Sequence, residues 1–154
     1  MHVLLGDERT PSGAELGRRA EGERGARIAG VGATLTILEL GSDECRGQIY
    51  IHHIDWDRAR AELGVWVAPQ ARGRGLARDA LALVACWLVR DCGIERVALV
   101  TAMHNLPMRH AGRAAGFREQ GVLRAHLRER GRRVDAALLS LVRSDLEDRC
   151  NTGA

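Results

Sequence analysis

Lysine is absent from this 154-residue chain; all 23 basic residues are arginine. That excludes a Schiff-base amine, a lysine general base and the phosphate-binding lysine of a nucleoside-triphosphate loop. The arginines are interleaved with 20 acidic residues, leaving a modest net charge of +3. Aromatic residues are scarce: Tyr50, Trp56, Trp66, Trp87 and Phe117 make up the whole set. They are too few and too scattered for a base-stacking platform, so no nucleic-acid partner is expected. Cys45, Cys86, Cys92 and Cys150 form no C-x-x-C pair, which signals neither a zinc knuckle nor a redox motif, and no metal is expected. Long apolar runs are missing too. Arg90 and Asp91 close the longest one, well short of the ~18–20 residues of a membrane span. The start, MHVLLGDERTPSG, meets acid too early for a signal peptide. A cytoplasmic setting without membrane attachment follows as the expectation.

What remains is the composition of one globular domain, with 45% apolar and 28% charged residues. Residues 1–25 are polar and glycine-rich, with a weak helical stretch around Ala14–Ala20. Thr34–Leu40, a turn at Gly41-Ser42-Asp43 and Cys45–Ile54 read as a hairpin. A third extended run, Glu62–Ala68, stops at Pro69, which cannot donate to a strand ladder. Leu76–Asp91 spaces apolar residues as a helix does, and Gly93 suits the position just past its end. Glu95–Thr101 reads as a buried strand, and Pro107–Ala115 as a second helix stopping at Gly116. Two long extended runs follow around a turn at Glu129–Arg133, and residues 147–154 look like a flexible tail. The order implies an α/β (α+β) fold, a mixed sheet with helices packed on it, in a single domain.

The segment VAPQARGRGLARDAL, residues 67–81, places Gly73 and Gly75 where a loop enters a helix. A helix N-terminus presents unpaired N–H groups and a partial positive charge to an anion. Glycine lets a diphosphate approach the backbone, and Arg72, Arg74 and Arg78 could add charge-assisted contacts. The spacing is not G-x-G-x-x-G, because Leu76, Ala77 and Arg78 follow. On the loop alone, a solvated turn with incidental arginines is an equal alternative.

The surrounding text decides between them. QARGRG at Gln70–Gly75 resembles the Q/R-x-x-G-x-G/A acetyl-CoA loop of the GNAT superfamily of N-acetyltransferases. AELGVWVAPQARGRGLARDAL, IERVALV, Asn105, AAGFREQGVLR and GRRVDAALLSLVRSDL look like its RimJ/RimL-type branch, across roughly residues 34–146. The resemblance implies a mostly antiparallel sheet with helices on both faces. It also implies acetyl-CoA as co-substrate and a primary amine, either a protein N-terminus or a small molecule, as acceptor. Family members open with a strand and a helix pair. Residues 1–25 look too short and too polar to supply all of it, so a shortened N-terminal portion is expected.

By the same resemblance, Glu62–Ala68 is a strand that splays from its neighbour so that pantetheine can lie along Trp66 and Val67. Gln70 opens the loop, and the pyrophosphate falls to Arg72, Gly73, Arg74, Gly75, Leu76 and Ala77. Asn105 matches the family asparagine beside the pantetheine arm, while on sequence alone a helix N-cap ahead of Pro107 is the safer reading, and both roles can hold. Direct transfer needs a base for the amine, and a carboxylate or histidine can serve. Glu62 is the first candidate, against the alternative of an exposed strand-end carboxylate. His104 is the second, because it precedes Asn105 where the family often carries an acid. His52 and His53 should point to opposite faces of a strand, so at most one of them can reach the cleft. Met108 stands where the N-x-x-S pattern of this branch has a serine, and a thioether cannot protonate the leaving thiolate. An acetyltransferase-like domain that binds CoA or a protein partner without turnover therefore stays open as the alternative. The C-terminal hairpin could also pair between protomers as a homodimer.

Overall fold

The computed structural model describes residues 12–151. Helix α1 runs over Gly13–Ile28, followed by strands β1 (Ala33–Leu38), β2 (Cys45–Asp55) and β3 (Arg60–Val67). A short 3-10 turn at Pro69–Ala71 leads into α2 (Leu76–Arg90), and then come β4 (Arg96–Ala102) and α3 (Leu106–Ala114). The chain finishes with β5 (Arg118–Glu129), β6 (Arg132–Val142) and α4 (Arg143–Asn151). No described helix is long and apolar enough to cross a membrane.

Helix α1 is longer than the weak pattern at Ala14–Ala20 suggested, and its start has a local cause. The Ser12 hydroxyl accepts from the Glu15 N–H at 3.3 Å, and the Glu15 carboxylate accepts from the Ser12 N–H at 2.7 Å. This reciprocal pair satisfies two donors that a helix start otherwise leaves unpaired. At the other end, the part of the expected tail up to Asn151 is helical (α4), while 152–154 lie outside the described residues.

The six strands form one sheet in the order β1-β2-β3-β4-β6-β5. Four neighbouring pairs are antiparallel and the β3–β4 pair is parallel. The parallel pair needs a crossover, and α2 supplies it. Alternation along the strands decides what is buried. Ile49 and Ile51 of β2, Leu63 of β3, Val97 and Leu99 of β4, and Leu139 and Leu141 of β6 join Leu81, Ala85, Leu88 and Val89 of α2 in one core. Each leucine, isoleucine or valine there contributes roughly 1.5–3 kcal/mol of burial. Gly112 of α3 fits because a Cβ at that position would come within 2.8 Å of Leu99. The Trp56 indole N–H donates to the Gly30 carbonyl at 2.6 Å, tying the loop after β2 to the end of α1.

Candidate active site

The site begins with a loss of pairing. β3 and β4 are in register from Arg60↔Arg96 to Leu63↔Leu99 and no further. β4 continues instead with β6, up to Ala102↔Ala136, while β3 stays with β2 as far as Val67↔Gly47. Strand β3 therefore parts from β4 after Leu63 and leaves a wedge beside Gly64–Val67. Along that stretch, alternate backbone groups face away from β2 with no strand opposite them.

A cavity of about 580 Å³ fills the wedge, lined by Val65, Trp66 and Val67 of β3, the glycine loop and α3. Gly73 and Gly75 have φ values of 76° and 79°, and Gly75 is the N-cap of α2. Both positions take left-handed backbone, which favours glycine. A Cβ at Gly73 would meet nothing within 4 Å. Leu76, Ala77 and Arg78 follow in the first turn of α2, where N–H groups lack intrahelical carbonyls. Trp66 Nε1 is buried without a hydrogen-bond partner, an unused donor in the same wall.

Trp66, Val67, Arg72, Gly73, Gly75, Leu76, Ala77 and Asn105 all line this cavity, together with Arg78 and Met108. Gln70 and Arg74 do not. Gln70 is exposed on the 3-10 turn, and Arg74 is drawn to Glu39 at 3.1 Å. Arg72 Nε donates to the Val67 carbonyl at 3.0 Å, bracing the loop against the strand. Asn105 caps α3: its Oδ1 accepts from the Met108 N–H at 3.3 Å, and its Nδ2 donates to Thr101 Oγ1 at 3.2 Å. Sequence reasoning missed the opposite wall, formed by Pro107, Ala111 and Ala114 of α3. Their spacing puts them on one helical face, which was the available signal.

Glu62 lies on a second cavity, about 780 Å³, with His53, Asp55, Trp56, Arg60, Arg96 and Leu138. The expectation that His52 and His53 diverge is overturned. Pairing slips between His52↔Glu62 and Asp55↔Arg60, and His53 takes φ 51°. This bulge places one extra residue on β2 and cancels the alternation, so both imidazoles meet Glu62. His53 Nδ1 lies 3.2 Å from Glu62 Oε2, and His52 Nε2 lies 3.8 Å from Oε1. Burial pushes the His52 imidazolium below its ordinary pKa, opposed by the Glu62 carboxylate and reinforced by His53. His104 stands elsewhere: it pairs with Glu129 at 3.1 Å and lines neither cavity.

A parallel strand that parts from its neighbour beside a glycine-capped helix is the arrangement that the resemblance to N-acetyltransferases implied. The acetyltransferase (GNAT) domain model matches residues 10–118, and the chain belongs to that family. Over 101 residues it is 29% identical to the protein named "Putative ribosomal N-acetyltransferase YdaF" of Bacillus subtilis, covering 66% of this chain and 55% of that one. It is 23% identical over 118 residues to "Uncharacterized N-acetyltransferase p20" of Bacillus licheniformis, covering 77% of this chain and 66% of that one. The chain thus spans between about half and two thirds of these relatives. Among solved structures, Mycobacterium smegmatis RimJ in complex with CoA-disulfide superposes with a TM-score of 0.80 at 26% identity, over 86% of this chain and 63% of that one. These likenesses fall on the RimJ/RimL-type branch.

Proposed function

We propose that this protein is an N-acetyltransferase that moves the acetyl group of acetyl-CoA directly to a primary amine, a protein N-terminus or a small molecule. The observation that carries the reading is the parting of β3 from β4 after Leu63, which puts Glu62 and the wedge on one strand. Glu62 opens onto one cavity, and Val65–Val67 onto the other. At ~3.3 Å per residue, the two lie about 10 Å apart.

In this reading pantetheine runs along Trp66 and Val67, and the pyrophosphate meets the N–H groups that begin α2. Arg72 and Arg78 face its outer oxygens. The solved RimJ complex, with its bound CoA-disulfide, supports that use of the fold. Glu62 accepts a proton from the ammonium, directly or through water, and the freed nitrogen attacks the thioester carbon. The C–N bond forms and the C–S bond breaks, and the second proton of the attacking nitrogen passes through water to the departing thiolate. Met108 lines the cavity but has no proton to give. That side chain favours a second reading, a domain that binds CoA without turnover.

The test is thermal melting with acetyl-CoA, CoA and an adenine nucleotide. Ligand at ~100 times its dissociation constant should stabilise the fold by ~2.7 kcal/mol. Gly73→Val should lose that shift, and its own melting curve separates lost binding from the ~1–3 kcal/mol of left-handed strain. No shift at saturating acetyl-CoA would sink both readings. A shift with no product from any amine in a panel would leave the second.

A further inference from the structure

The bulge that gathers His52 and His53 onto Glu62 makes something a straight strand pair could not. Two imidazole nitrogens and a carboxylate, from adjacent strands, have ligand atoms all within 4.8 Å of one another. Imidazole with carboxylate is the donor set of borderline divalent ions. Around a tetrahedral zinc with bonds of about 2.0–2.2 Å, ligand atoms sit about 3.4 Å apart. The separation of His53 Nδ1 from Glu62 Oε2, 3.2 Å, already fits, whereas His52 Nε2 lies 3.8 Å from the other oxygen, Oε1, and must move to share an ion held by Oε2. The two imidazoles are the more open members, with side chains 41% and 76% exposed for His52 and His53, so ring rotation can close the gap. Arg60, two residues earlier on the same face of β3, is turned to Asp55 at 3.4 Å, which offsets the cation that would otherwise oppose a metal. The neighbouring cavity leaves room for water at the remaining positions.

We propose that His52, His53 and Glu62 bind a divalent transition ion of the zinc class, and that the bound ion takes Glu62 out of use as a base. The metal site rests on side-chain geometry alone; its effect on turnover rests on the role proposed for Glu62. The consequence is inhibition by metal that a chelator reverses.

The experiment adds Co(II) to metal-free protein and follows the visible d–d absorption, then displaces it with Zn(II). One equivalent should bind. His52→Ala, His53→Ala and Glu62→Gln should each weaken binding by at least the ~10–100-fold that follows loss of a ligand's outer partner. Each variant should keep its thermal response to acetyl-CoA, because none of the three residues lines the glycine-loop cavity, and this controls for folding. Zinc should abolish turnover by the native protein, and His52→Ala should need at least ~10-fold more metal for the same inhibition. Absence of a Co(II) band, or a band that survives loss of both histidines, would overturn the site. Stoichiometric binding without loss of turnover would keep the site and overturn Glu62 as the base.

Discussion

The two cavities are made in different ways. The wedge is a backbone construction: two left-handed glycines, a helix N-terminus and a strand that loses one neighbour while keeping the other. The Glu62 cavity is a side-chain construction, in which a carboxylate, His53, Asp55 and Trp56 converge around one bulge, with His52 beside Glu62. The glycines and the helix N-terminus of the first are set by a few residues close in sequence, while the parting of β3 from β4 depends on pairing across the sheet. Side-chain clusters of the second kind depend on register between strands. A substitution on one side should therefore spare the other, which is open to test.

The largest expected effect is on the side-chain region. Glu62→Gln keeps the shape and removes the proposed base, so on the proposed reading acetyl transfer should fall by ~10²–10⁴-fold. The melting shift with acetyl-CoA should stay unchanged, as steady-state rates and melting curves on one preparation would reveal. Equal loss of both would erase the division between the regions.

A smaller effect sharpens the wedge side. Asn105→Ala removes the cap on Met108 N–H and should cost ~1 kcal/mol in chemical denaturation, whereas Asn105→Ser keeps a capping oxygen and should cost little. If the serine variant has near-native stability but weaker acetyl-CoA binding by calorimetry, the amide also meets the co-substrate. Unchanged binding would leave Asn105 as a cap alone.

The smallest effect is on pH dependence. Burial lowers the folded pKa of His52 beneath its ordinary 6.5. Between the folded and unfolded values, the unfolded chain binds the extra proton. The stability held above pH 6.5 is thus lost as pH falls through that window. Melting temperatures from pH 8 to 5 should decline less in His52→Gln than in the native protein. Parallel curves would remove His52 from the account.

Much of the fold was legible because its punctuation is local. Pro69, the glycine loop, Gly93 and Gly116 bounded β3, α2 and α3 to within a residue or two. Gly73 and Gly75 were legible from the loop itself, and Trp66, Val67 and Asn105 from the family resemblance; all five line the wedge cavity. The Ser12/Glu15 capping box was equally readable and went unread. Arg74 and His104 depend on carboxylates 35 and 25 positions away, Glu39 and Glu129, and no local pattern announces those partners.

Sequence alone determined the order of elements from β1 to β6, the glycine loop ahead of α2 and, by resemblance, the family, because periodicity, turn chemistry and motif spacing act over a few residues. Tertiary structure decided that β3 abandons β4 after Leu63, and that His52 and His53 turn to the same carboxylate. The first is a matter of pairing between strands far apart along the chain, the second of register between the consecutive strands β2 and β3. An extra residue on β2, absorbed at His53 with φ 51°, reverses what alternation alone would dictate.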